Sequence, residues 1–206
     1  MIDQLKIDFE QIIKTSTFSE SDTKLKKKFL NKFIKRGFPS KKSENWKFLD
    51  LNQIIQKNIN ELSFYSNDLP SNKIDSSIFI DGIDHNKIIN GKIEKIDFGF
   101  EDKDKIEINE DSKLDLKFEN DNSLIDLNNA LANKSCKVLI KKDYSLKKPL
   151  IVYHTTNNSV HSKNINLRLE FELEQNSSLK LIDFFNDTSE KNFINVLYNF
   201  DLKKNA

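Results

Sequence analysis

Three residues of this chain are of types that bind metal or act as nucleophiles: Cys136, His154 and His161. By type alone a thiol and two imidazoles suit a metal site. Their spacing argues against one, because no C-x-x-C or H-x-x-x-H pair brings two ligands to a single turn. Cys136 opens the segment CKVLI in phase with Val138 and Ile140, so it is expected to point inward as an inert thiol. A sulfur-accepting or cluster-binding role needs a thiolate in an electropositive, partly open setting. Lys134 and Lys137 are the basic neighbours. His154 and His161 flank the loop TTNNSV and are expected in water; His85 lies in the turn DGIDHN without an evident partner. There is no G-x-x-x-x-G-K-[ST] for nucleotide hydrolysis, no G-x-S-x-G and no kinase signature. Acids are spread along the chain and not gathered as a glycan-cleaving pair would require. The reading is therefore no enzyme: no catalytic residue, no cofactor-binding residue and no committed metal ligand.

The elements that must position these residues fall into two regimes. Up to about residue 60 the apolar period is helical. Ile2, Leu5, Phe9, Ile12 and Ile13 form one stripe, and Leu25, Phe29, Leu30, Phe33 and Ile34 a second. Ser21 or Asp22 is expected to cap the second helix, Gly37 to end it in a left-handed cap and Pro39 to forbid continuation. Trp46, Leu49, Leu51, Ile54 and Ile55 make a third, weaker stripe. Residues 61–76 read as a polar connector containing Pro70. From about 77 to 206 the period becomes two, in Ile78/Ile80, Ile106/Ile108, Leu114/Leu116/Phe118, Val138/Ile140, Ile151/Tyr153, Leu167–Leu173 and Val196/Tyr198/Phe200. The segment 123–132, SLIDLNNALA, interrupts this with a short helix. Regularly spaced strands admit an antiparallel sandwich or a stacked solenoid. Glycine is absent after residue 100, which disfavours tight hairpins, although Asn also tolerates left-handed positions.

Composition narrows the class. The 206 residues carry 33 Lys+Arg against 32 Asp+Glu, a net charge of +1, which excludes a strongly basic nucleic-acid clamp. A lone cysteine excludes a disulfide scaffold, and no apolar run reaches the ~18 residues of a membrane span. A cytoplasmic protein without membrane or nucleic-acid association is expected. Lysine runs such as 26–28 and 141–142 read as solvated faces.

Three ordered segments resemble one family. RGFPSKKSENWKFLDL (36–51) is similar to the G-[LF]-P-[ST]-x-[KR]-x-E-x-W-K-[YF] motif of SufD proteins, with Gly37, Pro39, Lys42, Glu44, Trp46, Lys47 and Phe48 in matching places. DLNNAL (126–131) is similar to the family's A-L-N-T-A segment through Leu127, Asn128 and Ala130. KPLIVYHTT and RLEFELEQNSSLKLIDFF are similar to a third segment through Pro149, Arg168, Phe171, Leu173, Glu174, Asn176, Ser178 and Leu181, with Leu169 where the family usually carries Asn. The resemblance implies an α+β, mainly β chain. It would comprise a helical N-terminal domain (1–60), a linker (61–76) and the start of a right-handed parallel β-helix (77–206), in relatives that continue for about as long again. It implies a scaffold subunit of the Suf iron–sulfur assembly system, partnered by SufB and the ATPase SufC. The chain itself would bind no cofactor, and the cluster would belong to the assembled complex. The motif residues Gly37, Pro39, Glu44, Trp46, Lys47, Asn128 and Arg168 read as structural, with Trp46 anchoring the helical packing and Glu44–Lys47 a solvated helix pair. The rival readings are a β-helix polysaccharide lyase and a carbohydrate- or peptide-binding β module.

Overall fold

A computed structural model of the chain describes residues 1–43, 46–59, 61–65, 80, 84–89, 95–114, 116, 121–133, 135–156, 160–187 and 191–206. The chain is α+β. Helix α1 (Ile2–Thr15) and helix α2 (Glu20–Arg36) arise where the two apolar stripes predict them. The phase of α2 differs from the expected one. Its buried side is Lys26, Phe29, Leu30 and Phe33, while Leu25 is 36% exposed. Lys26 shares the i, i+3, i+4, i+7 face of the three apolar residues, and Leu25 does not. The cap is Ser19, not Ser21 or Asp22: its Oγ accepts the Asp22 N–H at 3.1 Å and lies 2.6 Å from the Asp22 carboxylate. Gly37 ends α2 where expected, with its N–H on the Phe33 carbonyl, but at φ +71° and ψ −171° it is not the left-handed helical cap foreseen.

Helix α3 (Leu51–Asn58) begins only at Leu51, where the Asp50 side chain accepts the Gln53 N–H and the Pro39 carbonyl accepts the Leu51 N–H. Trp46 and Leu49 precede it in a short turn and cannot lie on its apolar face. The third stripe therefore buries Ile55 fully, leaving Ile54 and Leu49 largely exposed. The segment expected to be a connector enters the core at its start. Leu62 and Phe64 are buried, and the Phe64 N–H donates to the buried Asp8 carboxylate at 2.6 Å. Residues 66–76 lie outside the described residues. The helices share one core with Leu114, Leu116 and helix α4 (Ser123–Leu131), which forms where the interruption was expected. The strand expected over 114–118 is not formed in its described part, because Leu114 and Leu116 are drawn into that helical core.

Among the described residues, eight strands make two four-stranded sheets. One has the order β2 (Lys95–Asp97), β1 (Asn86–Ile89), β5 (Leu150–Thr156), β7 (Leu181–Asp187). The other has the order β3 (Ile106–Ser112), β4 (Ser135–Ile140), β6 (Asn164–Leu173), β8 (Phe193–Leu202). The pairs β1–β2 and β3–β4 are antiparallel, a departure from the all-parallel expectation. The other four pairs are parallel. From β4 onward the chain alternates between the sheets, and β6, β7 and β8 each lie parallel to the strand two before. Between the sheets lie Cys136, Val138, Ile140, Leu150, Val152, Leu169, Phe171 and Leu173. On β5 the even-numbered residues face this core. Ile151 and Tyr153, expected as its inward row, face the opposite side and pack with Ile80 and Phe184. No described helix is long and apolar enough to cross a membrane.

The glycine-poor corners are made by other residues. Asp143, Asn176 and Asn205 have φ of 58°, 58° and 59°. They stack, with the Asn176 amide donating to the Asp143 carboxylate at 2.6 Å and the Asn205 amide to the Asn176 side-chain oxygen at 3.1 Å.

Candidate functional site

The three motif-bearing segments meet at α4. Asn122 caps this helix through the Leu124 N–H. Its flank carries Asp126, Asn128 and Asn129, all without exposure. From the end of α2, the Arg36 guanidinium donates to Asp126 at 2.8 Å and to Asp121 at 3.0 Å. From β6, the buried Arg168 donates to the Asn129 side-chain oxygen at 2.8 Å and to Glu170 at 3.1 Å. Asn128 spans both neighbouring strands, its amide donating to the carbonyls of Leu167 and Asn195. Burial raises the Asp126 carboxyl above its ordinary range, against the pull of Arg36.

The C-terminal end of α4 is held by a residue expected in solvent. Lys26 has no exposed surface, and its ammonium donates to the carbonyls of Asn129, Ala130 and Ala132. It also lies 4.5 Å from the centre of the Phe18 ring. Helix ends leave carbonyls without intrahelical partners, and a cation there meets both the hydrogen-bonding need and the dipole. Burial, helped by the nearby Arg168 charge, pushes the Lys26 ammonium down to about 7. Of the run 26–28, only Lys27 and Lys28 are exposed. Lys141 is paired to Glu107 at 2.8 Å.

A second polar cluster lies between the sheets at their β7–β8 end. His154, expected in water, is wholly buried on β5. Its Nε2 is 2.9 Å from Asp183 Oδ1 and 3.0 Å from the Tyr198 hydroxyl, which itself donates to Asp183. The imidazole stacks on Phe185 with centroids 4.3 Å apart. Burial lowers the affinity of His154 for a proton more than Asp183 raises it. Burial and Asp183 together raise the Tyr198 hydroxyl. Strands β7 and β8 are the outermost strands of their sheets, and the side chains that continue the core row there, Phe185, Phe200 and Leu202, are 59%, 44% and 56% exposed. This end offers strand edges and an apolar row to a further strand.

The remaining expected residues are dispersed. Cys136 is wholly buried on β4, and burial pushes its thiol up to about 12, so it is a poor nucleophile at neutral pH. His161 is exposed beside a shallow cavity that also touches Glu61, Ser63 and Lys163. Cys136, His154 and His161 are therefore not brought to one point, and no group of three His, Cys, Asp or Glu suited to a metal occurs among the described residues. His85 is buried with Nε2 2.7 Å from the Tyr153 hydroxyl, which corrects its reading as a turn residue without a partner. Pro39 is buried, Trp46 half-buried, Lys47 exposed in a turn instead of a helix, and Glu44 lies outside the described residues. Sequence reasoning missed Lys26, Asp183 and Tyr198. For Lys26 a signal existed in its phase with Phe29, Leu30 and Phe33. For the other two none did, since only the stacking of the sheets unites them with His154. The chain matches no family model and no curated protein.

Proposed function

We propose that this chain is a SufD-like scaffold component of cytoplasmic iron–sulfur cluster assembly, acting with SufB and the ATPase SufC and not as an enzyme itself. The observation that carries the reading is the convergence on α4. The segments that resemble SufD, far apart in sequence, touch through Arg36–Asp126 and Arg168–Asn129, and two of the matched motif residues, Asn128 and Arg168, are buried at this junction. The parallel stacking of alternate strands supports a right-handed parallel β-helix as the finer description of the β region, entered through the two antiparallel pairs. The β7 and β8 edges, with their exposed apolar row, are the surface through which such a stack would meet the strands of SufB. In this role the buried Cys136 thiol is core, and the cluster is a property of the complex. Co-expression of the full-length gene with SufB and SufC, followed by affinity pull-down of this protein, tests the reading. Recovery of a complex with both is expected. Recovery of this protein alone, at low and at high salt, overturns it.

A further inference from the structure

Between the sheets, His154 meets two side chains of metal-binding type that come from other strands. Its Nε2 lies 2.9 Å from Asp183 Oδ1 and 3.0 Å from the Tyr198 hydroxyl, and that hydroxyl donates to the same Asp183 oxygen. Three atoms from β5, β7 and β8 thus converge on one point. Three close contacts join them, yet the hydroxyl and the imidazole Nε2 bring at most one proton each, and a carboxylate brings none. At least one contact is left to a shared proton, whereas one cation serves all three atoms at once. The spacing also chooses a geometry. With metal–ligand bonds of about 2.0–2.2 Å, neighbouring donors lie about 2.8–3.1 Å apart around an octahedral ion and about 3.3–3.6 Å apart around a tetrahedral one. The separations of 2.9 and 3.0 Å fit the octahedral edge. Three donors on one octahedral face leave three positions for water, and the partly exposed Asp183 side chain gives the site a wet side. The donors stand on paired strands, Tyr198 in register with Leu169 of β6 and His154 with Phe185 of β7, on whose ring the imidazole stacks. Strands hold ligand positions more precisely than loops do.

We propose that His154, Asp183 and Tyr198 form a mononuclear iron(III) site. Donor chemistry selects the ion. Imidazole suits iron, zinc, copper and nickel, carboxylate suits harder ions, and an octahedral face of imidazole and carboxylate with open positions is an iron arrangement. A phenolate is a hard anionic donor that also serves as an axial ligand of haem iron. Burial and Asp183 raise the Tyr198 hydroxyl. Magnesium or calcium would leave its proton in place, whereas a trivalent ion displaces it. On binding, the Tyr198 O–H bond breaks, its proton passes to solvent and an O–Fe bond forms. The imidazole carries its proton on Nδ1 and presents the Nε2 lone pair, and the iron stays ferric throughout. No thiolate is among the three donors, so the site is not one for a cluster. The inference does not depend on the iron–sulfur assembly reading, and its test uses no Suf protein.

The test is a titration of the full chain at neutral pH with iron(III) citrate, followed by visible absorption. A phenolate-to-iron(III) charge-transfer band is expected, saturating at one iron per chain. Tyr198→Phe is expected to abolish the band while its circular dichroism spectrum stays that of the wild type, and Tyr65→Phe is expected to keep it. Asp183→Asn, which preserves the shape of the side chain, is expected to weaken iron binding ~10-fold or more. Iron should also raise the melting temperature of the wild type and leave that of Tyr198→Phe unchanged, since only a ligand bound to the folded state stabilises it. Absence of the band, a band that survives Tyr198→Phe, or its loss on adding equimolar zinc or magnesium overturns the proposal.

Discussion

Around α4, two cations lie without water: Lys26 on three backbone carbonyls, and Arg168 between Asn129 and Glu170. At the β7–β8 end the polar groups are also inside the sheets, but Asp183 is 37% exposed and Phe185 is mostly in solvent. In the first region Lys26 joins α2 to α4, and Arg168 and Asn128 join α4 to β6 and β8, so these interactions specify how the helices seat on the strands. In the second, His154, Asp183 and Tyr198 satisfy one another and tie β8 of one sheet to β5 and β7 of the other, with no helix involved. Full enclosure makes a polar group costly to orphan. Partial enclosure leaves water as a substitute partner.

The largest expected effect separates the two regions directly. Arg168→Ala leaves Glu170 and Asn129 buried without their cation and is expected to cost about 3–5 kcal/mol in urea unfolding. Lys26→Ala strips three carbonyls at the end of α4 and should cost roughly 3 kcal/mol, with Lys26→Met recovering part of it through packing. Lys26 also gives the junction a pH signature. Its ammonium lies near 7 in the fold against an ordinary 10.5. Between these values the unfolded chain holds the extra proton, so this group makes stability rise from pH 7 to 10.5 and leaves it flat below 7. Urea midpoints at pH 7 and 9 should therefore diverge in the wild type and lose that component in Lys26→Met. At the corner, Asn176→Ala forces an L side chain without a local hydrogen bond into φ near 58° and should cost about 1–2 kcal/mol, while Asn176→Gly stays within about 1 kcal/mol. The smallest effect belongs to the outer cluster. Tyr198→Phe should cost about 1 kcal/mol by thermal unfolding. A cost above that of Lys26→Ala would erase the contrast between the regions.

Much of the local structure was legible in the sequence. The stripes around Phe9 and Phe29 found α1 and α2, Gly37 marked the stop, and SLIDLNNALA stood out as α4 because its neighbours alternate. Cys136 was placed inward by its phase with Val138 and Ile140. What escaped shares one physical character: it depends on partners far away in the chain. Lys26 looks solvated until the end of α4 arrives to receive its charge. Tyr153 and Ile151 look like one face of a half-buried strand, yet β5 is covered on both sides. Leu114 and Leu116 alternate like a strand but are claimed by the helical core. Phe48, in the most specific of the motifs, is nearly bare, and nothing in the motif itself marks it as exposed.

The stacked corner residues lie 33 and then 29 positions apart, while the strands on either side keep continuous register. Each turn of the chain thus touches chiefly the turn before it, and the four-residue difference is absorbed outside the paired strands. Stability then propagates like a one-dimensional zipper, in which a coil gains most of its binding energy from its immediate neighbour. Closing each step costs the entropy of a loop of about thirty residues and not of the whole chain. Helix α4 holds both β6 and β8, through Asn128 and Asn195, so folding should advance coil by coil from this clamp, and the amides it covers should be among the last of the stack to exchange with solvent.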